Sequence, residues 1–190
     1  MNIIESKMSI NGFSRTGKTR ATTLAIVMHN VGVPGQKALA VKAYFESEAN
    51  RTNCASAHVV IDHDGTIYLI VGEDEKAQHV GSSLPDPVSG KIYTDLARKK
   101  FGQYAMYPDK TSPNQCTFGI EMCHGADGIF SEATIQAAIE YVAYLCRKYS
   151  LTADDIMTHN DIVGWKQCPL LWTNKKNLFA AFKEDVRSKL

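Results

Sequence analysis

An apolar run, Leu24-Ala25-Ile26-Val27-Met28, leads directly into His29 and Asn30 in the first part of the chain. Consecutive apolar residues without polar alternation are typical of a β-strand that is buried on both faces. Such strands lie inside layered sheets that are covered by helices. The run therefore predicts a central strand whose last residues include a histidine.

Helical and strand patterns alternate through the rest of the chain. Residues 1–20 are polar and irregular, and Ser131 is placed to cap the longest predicted helix. The predicted elements are a helix at 37–49, a hairpin at 57–71, a strand at 116–123, a helix at 132–149, a short strand at 156–158 and a closing helix at 178–186. This order predicts an α/β fold with a mixed central β-sheet flanked by helices.

Length and composition indicate one globular domain that covers residues 1–190. A formal net charge of +1 gives no electrostatic case for binding nucleic acid. The N-terminus lacks an apolar signal segment, and no apolar run approaches the roughly 18 residues of a spanning helix. We therefore expect cytoplasmic synthesis without a signal peptide and no membrane insertion. The sequence does not indicate an oligomeric state.

The segment at 82–113 is polar and rich in turn-forming residues, and we expect it to form a rim inserted into the domain. It carries several aromatic side chains, which either line a groove for an extended ligand or pack as a lid. These residues are Tyr93, Phe101, Tyr104 and Tyr107.

Two further residues could join His29 in a metal site. His159 lies nine positions before Cys168, and a turn at Gly164 could bring the two side chains together. Two imidazoles and a thiolate are ligands that Zn²⁺ accepts, and three protein ligands leave a fourth position for water. Each residue alone is more often a structural group, but the three together indicate a zinc reaction centre.

Glu121 and Lys166 are candidates for chemistry beside such a site. Strand alternation puts Glu121 and Gly119 on the face opposite to the apolar residues of their strand, and Gly119 should leave open space beside the carboxylate. Near a metal-activated water, Glu121 could act as general base. Lys166 lies two residues before Cys168 and could stabilise a developing oxyanion. The alternatives are a solvent-facing glutamate and a solvated loop lysine.

Taken together, these residues resemble a known family. The pattern consists of His29 at a strand end, Ser56-Ala57-His58 before a hairpin, Gly119-Ile120-Glu121, and His159 with Lys166 and Cys168-Pro169. It is similar to the zinc-dependent N-acetylmuramoyl-L-alanine amidases of type 2, which are related to peptidoglycan recognition proteins and include phage endolysins. The similarity runs from about residue 24 to the C-terminus, interrupted by the 82–113 segment.

The resemblance implies a role for each residue of the pattern. His29, His159 and Cys168 would bind Zn²⁺ as the cofactor. Glu121 would be the general base and Lys166 the partner of the oxyanion. The fold would be that of the type 2 amidases and the peptidoglycan recognition proteins.

Two other positions have implied roles. His79, in Gln78-His79-Val80-Gly81, looks like the cleft histidine of the family and would bind substrate, unless it is an ordinary loop histidine. Some members carry a catalytic tyrosine where this chain has Ala57. Without that tyrosine, Glu121 would be the main catalytic residue. His58 should then be a structural hydrogen-bonding group.

The resemblance also implies a substrate. The protein would hydrolyse the amide bond between N-acetylmuramic acid and L-alanine in bacterial peptidoglycan, as a phage or prophage endolysin or as an autolysin. After synthesis in the cytoplasm it would act on the cell wall once released.

Three alternatives stay open. Residues 12–19 match the phosphate-binding loop of nucleotide hydrolases, but that loop needs a buried strand before it and a helix after it. A non-catalytic peptidoglycan-binding module could have the same fold, although members that only bind lack the cysteine ligand. A cysteine peptidase could use Cys116 or Cys123 with His124, but the two cysteines fall on opposite faces of one strand.

Overall fold

The computed structural model describes residues 1–105 and 112–190 of the chain. Within this part, the strands are β1 (Ile3–Glu5), β2 (Ala25–Asn30), β3 (Val59–Ile61), β4 (Ile67–Leu69), β5 (Thr117–Met122) and β6 (Ile156–Thr158). They form one mixed sheet in the order β1-β4-β3-β5-β2-β6. Only β3 and β4, the predicted hairpin, pair antiparallel among these described strands. The predicted mixed sheet is confirmed, and the apolar run supplies its strand β2.

The α-helices of the described residues are α1 (Ala38–Glu46), α2 (Asp95–Phe101), α3 (Glu132–Tyr149), α4 (His159–Val163), α5 (Leu170–Asn174) and α6 (Lys176–Arg187). Helix α3 begins where the sequence predicted, because Oγ of Ser131 accepts a hydrogen bond from the backbone N–H of Thr134. None of these helices is both long and apolar enough to cross a membrane.

One face of the sheet is closed by the largest apolar cluster. Ile26 of β2 and Phe118 and Ile120 of β5 pack there against buried residues of α3 and α6. The alternation of β5 sends these apolar side chains to the closed face. Gly119 and Glu121 consequently point to the opposite face.

The opposite face carries two smaller clusters. One joins Val60 of β3 to the apolar side of α1. The other joins Ala25 and Val27 of β2 to α2 and α4. His29 and Glu121 follow on the same face, near the ends of β2 and β5. This end of the sheet therefore opens into a cleft between α1 and the chain that follows α4.

One part of the sequence-based fold was wrong, and a second part contains a helix that the sequence analysis missed. Residues 3–5, predicted to be irregular, form the edge strand β1, which pairs Ile3 with Ile67 of β4. The 82–113 segment contains helix α2, whose N-terminus is capped by the side chain of Thr94. Tyr93 and Phe101 are buried and Tyr104 packs against them, which agrees with the packed alternative and not with the groove. Tyr107 lies outside the described residues.

Residues 12–19 lack the context of a phosphate-binding loop. Thr19 forms a bridge to Glu75, strand β2 follows, and the first α-helix in the described part of the chain begins only at Ala38. The side chain of Arg15 within the segment is paired with Glu75. The nucleotide-hydrolase alternative is therefore rejected.

Candidate metal centre

His29 is the first of three possible ligands that meet at this end of the sheet. It is the fifth residue of β2 and is only 2% exposed. Strands β2 and β5 pair in parallel with His29 directly opposite Glu121. Since both side chains point to the open face, the sheet itself places a possible ligand beside a possible base.

His159 reaches the same place from β6, which pairs in parallel with β2. The strand ends at Thr158, whose hydroxyl accepts from the N–H of Asp161 while the Asp161 carboxylate accepts from the N–H of Thr158. This capping box starts α4 directly after the strand. His159 is thus the first residue of a short helix.

Cys168 is held by the loop that follows α4. The chain turns at Gly164, whose φ of +79° favours glycine, as predicted. The side-chain amide of Asn160 donates hydrogen bonds to the carbonyl oxygens of Gly164 and Lys166. The backbone N–H of Asn160 donates to the carbonyl oxygen of Cys168. These bonds fold the loop back onto α4, so Cys168 faces the two histidines.

The three ligand atoms form a compact group. Nδ1 of His29 lies 3.1 Å from Nδ1 of His159 and 3.7 Å from Sγ of Cys168, and all three atoms lie within 4.8 Å of one another. Tetrahedral zinc, with bonds of about 2.0–2.1 Å to nitrogen and about 2.3 Å to sulfur, separates two nitrogens by about 3.3 Å and nitrogen from sulfur by about 3.6 Å. The observed spacings fit such an ion.

The protonation of the ligands also suits a cation. Burial, with the neighbouring imidazoles and Lys166, holds the pKa of His29 well below its usual value. Burial, then Lys166, lowers the pKa of His159 in the same way. Burial, with Glu121, raises the pKa of Cys168 to about 12. Two neutral imidazoles are ready to bind a metal, whereas a thiolate here needs a nearby positive ion for its stability.

Glu121 lies beside this group with an incomplete set of partners. No described residue donates a hydrogen bond to its Oε2, which is buried. Burial raises the pKa of Glu121 to about 8, and the charge of Lys166 opposes part of that rise. A buried carboxyl with a free oxygen and a pKa near neutrality is suited to proton transfer.

His79 fills the position that we expected Gly119 to leave open, so that expectation was wrong. A Cβ atom on Gly119 would lie 2.4 Å from Cγ of His79, which means that the imidazole packs directly on the glycine. Nδ1 of His79 lies 3.0 Å from Nε2 of His29. Burial lowers the pKa of His79 to about 3. The residue lines the cleft, but its ring nitrogens face protein atoms.

His58 is structural, as predicted. Its Nδ1 accepts from the backbone N–H of Gly119, and its Nε2 donates to the carbonyl oxygen of Glu75. The same carbonyl accepts from the buried guanidinium of Arg20. Burial, then the charge of Arg20, lowers the pKa of His58 well below its usual value. The ring of His58 is hydrogen-bonded to the backbone of β5 and does not belong to the group of His29, His159 and Cys168.

The cleft has a volume of about 730 Å³ and contains the ligand group in its floor. Lys166 lines it with an exposed side chain, next to Trp165. Tyr44 and Asn53 also line the cleft, and the side-chain amide of Asn53 donates a hydrogen bond to the hydroxyl of Tyr44. Aromatic rings with hydroxyl and amide groups are the surfaces that sugars and peptides contact.

A second group of possible ligands is already used by the fold. Asp62, His63 and Cys123 have ligand atoms within 4.8 Å of one another. However, the Asp62 carboxylate accepts from the backbone N–H groups of Ala38 and His63, and Nε2 of His63 donates to the carbonyl oxygen of Gln36. The group fastens the start of α1 to the hairpin.

The remaining cysteines do not support a peptidase. Burial raises the pKa of Cys116 to about 12 and also raises that of Cys123. The thiolate that a nucleophile needs is therefore disfavoured at both positions. Nδ1 of His124 lies 2.9 Å from the carbonyl oxygen of Gly125 and its Nε2 lies 3.0 Å from that of Val31, so its ring is used within the fold.

Comparison with known proteins agrees with the fold. The family model described as N-acetylmuramoyl-L-alanine amidase (Amidase_2) matches residues 19–170. A Bacillus licheniformis protein named "Probable N-acetylmuramoyl-L-alanine amidase" is 32% identical over 193 residues, and the match covers 100% of this chain and 48% of the relative. The chain belongs to the N-acetylmuramoyl-L-alanine amidase family. It spans about half the length of the curated relatives that it matches.

Solved structures show the same fold at lower sequence identity. The catalytic domain of PlyG has a TM-score of 0.69 and 18% identity, with 100% of this chain and 95% of that chain covered. The catalytic domain of XlyA has a TM-score of 0.67 and 20% identity, with 98% and 99% covered. The type 2 amidase fold is therefore confirmed.

Sequence reasoning missed the residues that hold His79. Oδ1 of Asn114 accepts from the backbone N–H groups of His79 and Val80, and Oγ1 of Thr117 lies 3.1 Å from Nε2 of His79. One signal was available for Thr117, because alternation puts it on the same face of β5 as Gly119 and Glu121. Nothing local marked Asn114.

Proposed function

We propose that this protein is a zinc-dependent amidase that hydrolyses the bond between N-acetylmuramic acid and the L-alanine of the stem peptide in bacterial peptidoglycan. The observation that carries the proposal is the convergence of His29, His159 and Cys168 beside the buried Glu121. Family membership and the amidase names of the relatives support the substrate class.

His29, His159 and Cys168 would hold the zinc ion, which, when bound, would polarise the substrate carbonyl and make water more acidic. Glu121 would take the proton of the attacking water and pass it to the departing amine of L-alanine. In the zinc-free protein burial raises the pKa of Glu121 to about 8, and a bound cation would lower that pKa toward the range in which the carboxylate accepts a proton.

Lys166 would stabilise the carbonyl oxygen as it becomes negative. It lines the cleft and acts electrostatically on Glu121 and on all three proposed ligands. An exposed ammonium group at this position is free to move toward a bound substrate.

The cleft would receive one glycan unit and its stem peptide, with Tyr44 and Trp165 on its walls. Substrate binding by His79 stays a prediction. Since both ring nitrogens of His79 face protein atoms, any contact with substrate would use its carbon edge.

Residues 1–190 would form one amidase catalytic domain, with the 82–113 segment as its rim. The protein would be a phage or prophage endolysin or an autolysin, made in the cytoplasm and acting on the cell wall after release. Structural neighbours described as endolysins support this biological setting.

The test is digestion of purified peptidoglycan followed by mass spectrometry of the products. We expect stem peptides with a free N-terminal L-alanine and glycan strands without peptide. Chelation should abolish the release, and added Zn²⁺ should restore it, because the ion is required for the reaction.

Two buried cysteines provide a matched control. Cys168→Ala should abolish release and remove zinc, whereas Cys146→Ala, in helix α3, should retain both. Binding to the wall without release of new amines would instead support the non-catalytic module. Release that ignores chelator would contradict the metal centre.

A further inference from the structure

His79 lies between a proposed metal ligand and the first residue of β5. Its Nδ1 is 3.0 Å from Nε2 of His29, and its Nε2 is 3.1 Å from Oγ1 of Thr117. The three side chains are 9%, 2% and 0% exposed, respectively, for His79, His29 and Thr117. Solvent is thus excluded as a substitute partner, and the direction of each hydrogen bond matters.

Thr117 sets the donor-to-acceptor direction of the hydrogen bonds that join Thr117, His79 and His29. Its hydroxyl donates its single proton to the carbonyl oxygen of Pro113, 2.7 Å away. The atoms that face Nε2 of His79, which are Oγ1 and the carbonyl oxygen of Thr117, therefore both act as acceptors. Nε2 of His79 must donate, and a neutral ring then has a bare Nδ1.

The hydrogen bond with His79 also determines which ring nitrogen of His29 carries a proton. The bare Nδ1 of His79 can only accept, so Nε2 of His29 donates to it. A neutral His29 with its proton on Nε2 has a bare Nδ1, the atom that faces His159 and Cys168. The reverse direction would place a proton on that Nδ1, where it would block a metal ion.

The ring of His79 is fixed in this position from two further sides. Asn114 accepts hydrogen bonds from the backbone N–H groups of His79 and Val80 at 3.0 and 2.9 Å. The ring also lies against Gly119, where a side chain would leave no room for it. Its orientation is thus set by packing before any ligand binds.

We propose that Thr117 and His79 form a hydrogen-bond relay that keeps His29 in the tautomer with a bare Nδ1 and so prepares it to bind zinc. His79 is a positioning residue in this role, since it acts through His29. The inference rests on the proposed function, because it takes His29 to be a zinc ligand. Outer partners of metal-bound histidines typically contribute about 10- to 100-fold to metal affinity.

Two substitutions of similar size separate hydrogen bonding from packing. His79→Leu removes the acceptor, whereas the amide oxygen of His79→Asn can stand near the position of Nδ1. We expect His79→Leu to weaken zinc binding about 10- to 100-fold and His79→Asn to stay within about 3-fold of wild type. The readout is the zinc dissociation constant of the folded chain, measured by competition with a chromophoric chelator.

A second pair tests the start of the relay. Thr117→Val keeps the volume and removes the hydroxyl, so zinc binding should weaken about 10-fold, whereas Thr117→Ser should restore it. Urea unfolding of all four variants confirms that each is folded at the conditions of the binding assay. The pair at Thr117 decides the question if a substitution at His79 prevents folding.

The wild-type protein offers a direct measurement without substitution. In zinc-free protein labelled with ¹⁵N in its histidines, NMR should show His29 with a proton on Nε2 and none on Nδ1. A proton on Nδ1 would overturn the relay, as would equal zinc affinities for His79→Leu and wild type, or equal losses in His79→Leu and His79→Asn. A wild-type chain that binds no zinc would overturn the metal centre itself.

Discussion

Glu121 differs from the other ionisable groups of the cleft in the balance between burial and hydrogen bonding. Its neighbour across the sheet, His29, has partners on both ring nitrogens, whereas Oε2 of Glu121 receives none from the described residues. Burying a carboxyl with a free oxygen costs stability. A fold tolerates that cost where the oxygen has a partner in the working state, which here would be a water or the substrate.

Glu121→Gln tests this role. The amide has nearly the same shape but cannot accept a proton from water, so turnover should fall by at least about 10²-fold while zinc affinity is retained. Turnover by mass spectrometry and zinc content by elemental analysis provide the two readouts. Glu132→Gln, on the exposed start of α3, is the control. If Glu121→Gln loses its zinc, the carboxylate is a ligand and not a base.

The strand β5 shows how one element serves the core and the cleft together. Its even-numbered residues, Phe118, Ile120 and Met122, pack into the large cluster, and its odd-numbered residues lie on the opposite face, which carries the cleft. Gly119 is the critical member of the second set, because the ring of His79 rests on it.

Gly119→Ala should therefore disturb both stability and metal binding. The added methyl group would lie 2.4 Å from Cγ of His79 and force the ring away, so we expect a loss of about 1–3 kcal/mol in the free energy of unfolding, with weaker zinc binding. Urea unfolding and chelator competition measure the two effects. Gly32→Ala, at a position with open space around it, should leave stability within about 0.5 kcal/mol. Equal effects of the two substitutions would contradict the packing argument.

Elements with strong local signals were predictable from the sequence. The uninterrupted apolar run gave β2, and Ser131 with its helical periodicity gave α3. Strand β1 was missed because its three residues are exposed and pair with β4, more than sixty positions away. Helix α2 was missed because it is short and gains its stability from burial of Ala97 and Phe101.

Some features of the candidate site could likewise be predicted from the sequence, and others could not. The identities of His29, His159 and Cys168 followed from their pattern and from the family resemblance. The ring atom that each histidine presents, and the support of His29 by His79, depend on side-chain directions that only the folded sheet defines. The empty space expected beside Gly119 was an error of the same origin, since the ring that fills it comes from forty positions away.

Buried imidazoles make the whole molecule sensitive to acid. The pKa values of His29, His58 and His159 are held well below the usual 6.5, and that of His79 is lowered to about 3. Below about pH 6.5 these four histidines are protonated in the unfolded chain but stay neutral in the folded chain. Their contribution to the free energy of unfolding is therefore present above that pH and is lost as the pH falls. Glu121 acts in the opposite sense: its folded pKa of about 8 means that its contribution declines as the pH rises from about 4.5 to 8.

The zinc-free protein should consequently be most stable near pH 7. We expect the free energy of unfolding to fall by at least about 3 kcal/mol between pH 7 and pH 5, and by less than about 1 kcal/mol from pH 7 to pH 8. Urea unfolding in the presence of chelator at these three values is the measurement. Glu121→Gln should make the loss toward pH 5 steeper and abolish the loss toward pH 8, because the carboxyl of Glu121 opposes the histidines across this range. A stability that keeps rising from pH 7 to pH 8 in the wild type would contradict the raised pKa of Glu121.

The pairing of His29 with Glu121 across adjacent strands has a practical consequence for redesign. Neighbouring strands lie about 4.8 Å apart, and their ladder of hydrogen bonds keeps that spacing whatever the surrounding loops contain. The rims of the cleft near Asn53 and Leu84 lie outside the ladder. Under the proposed function, chimeras that exchange only these rims would change which wall strands the cleft accepts and would leave His29 and Glu121 in place.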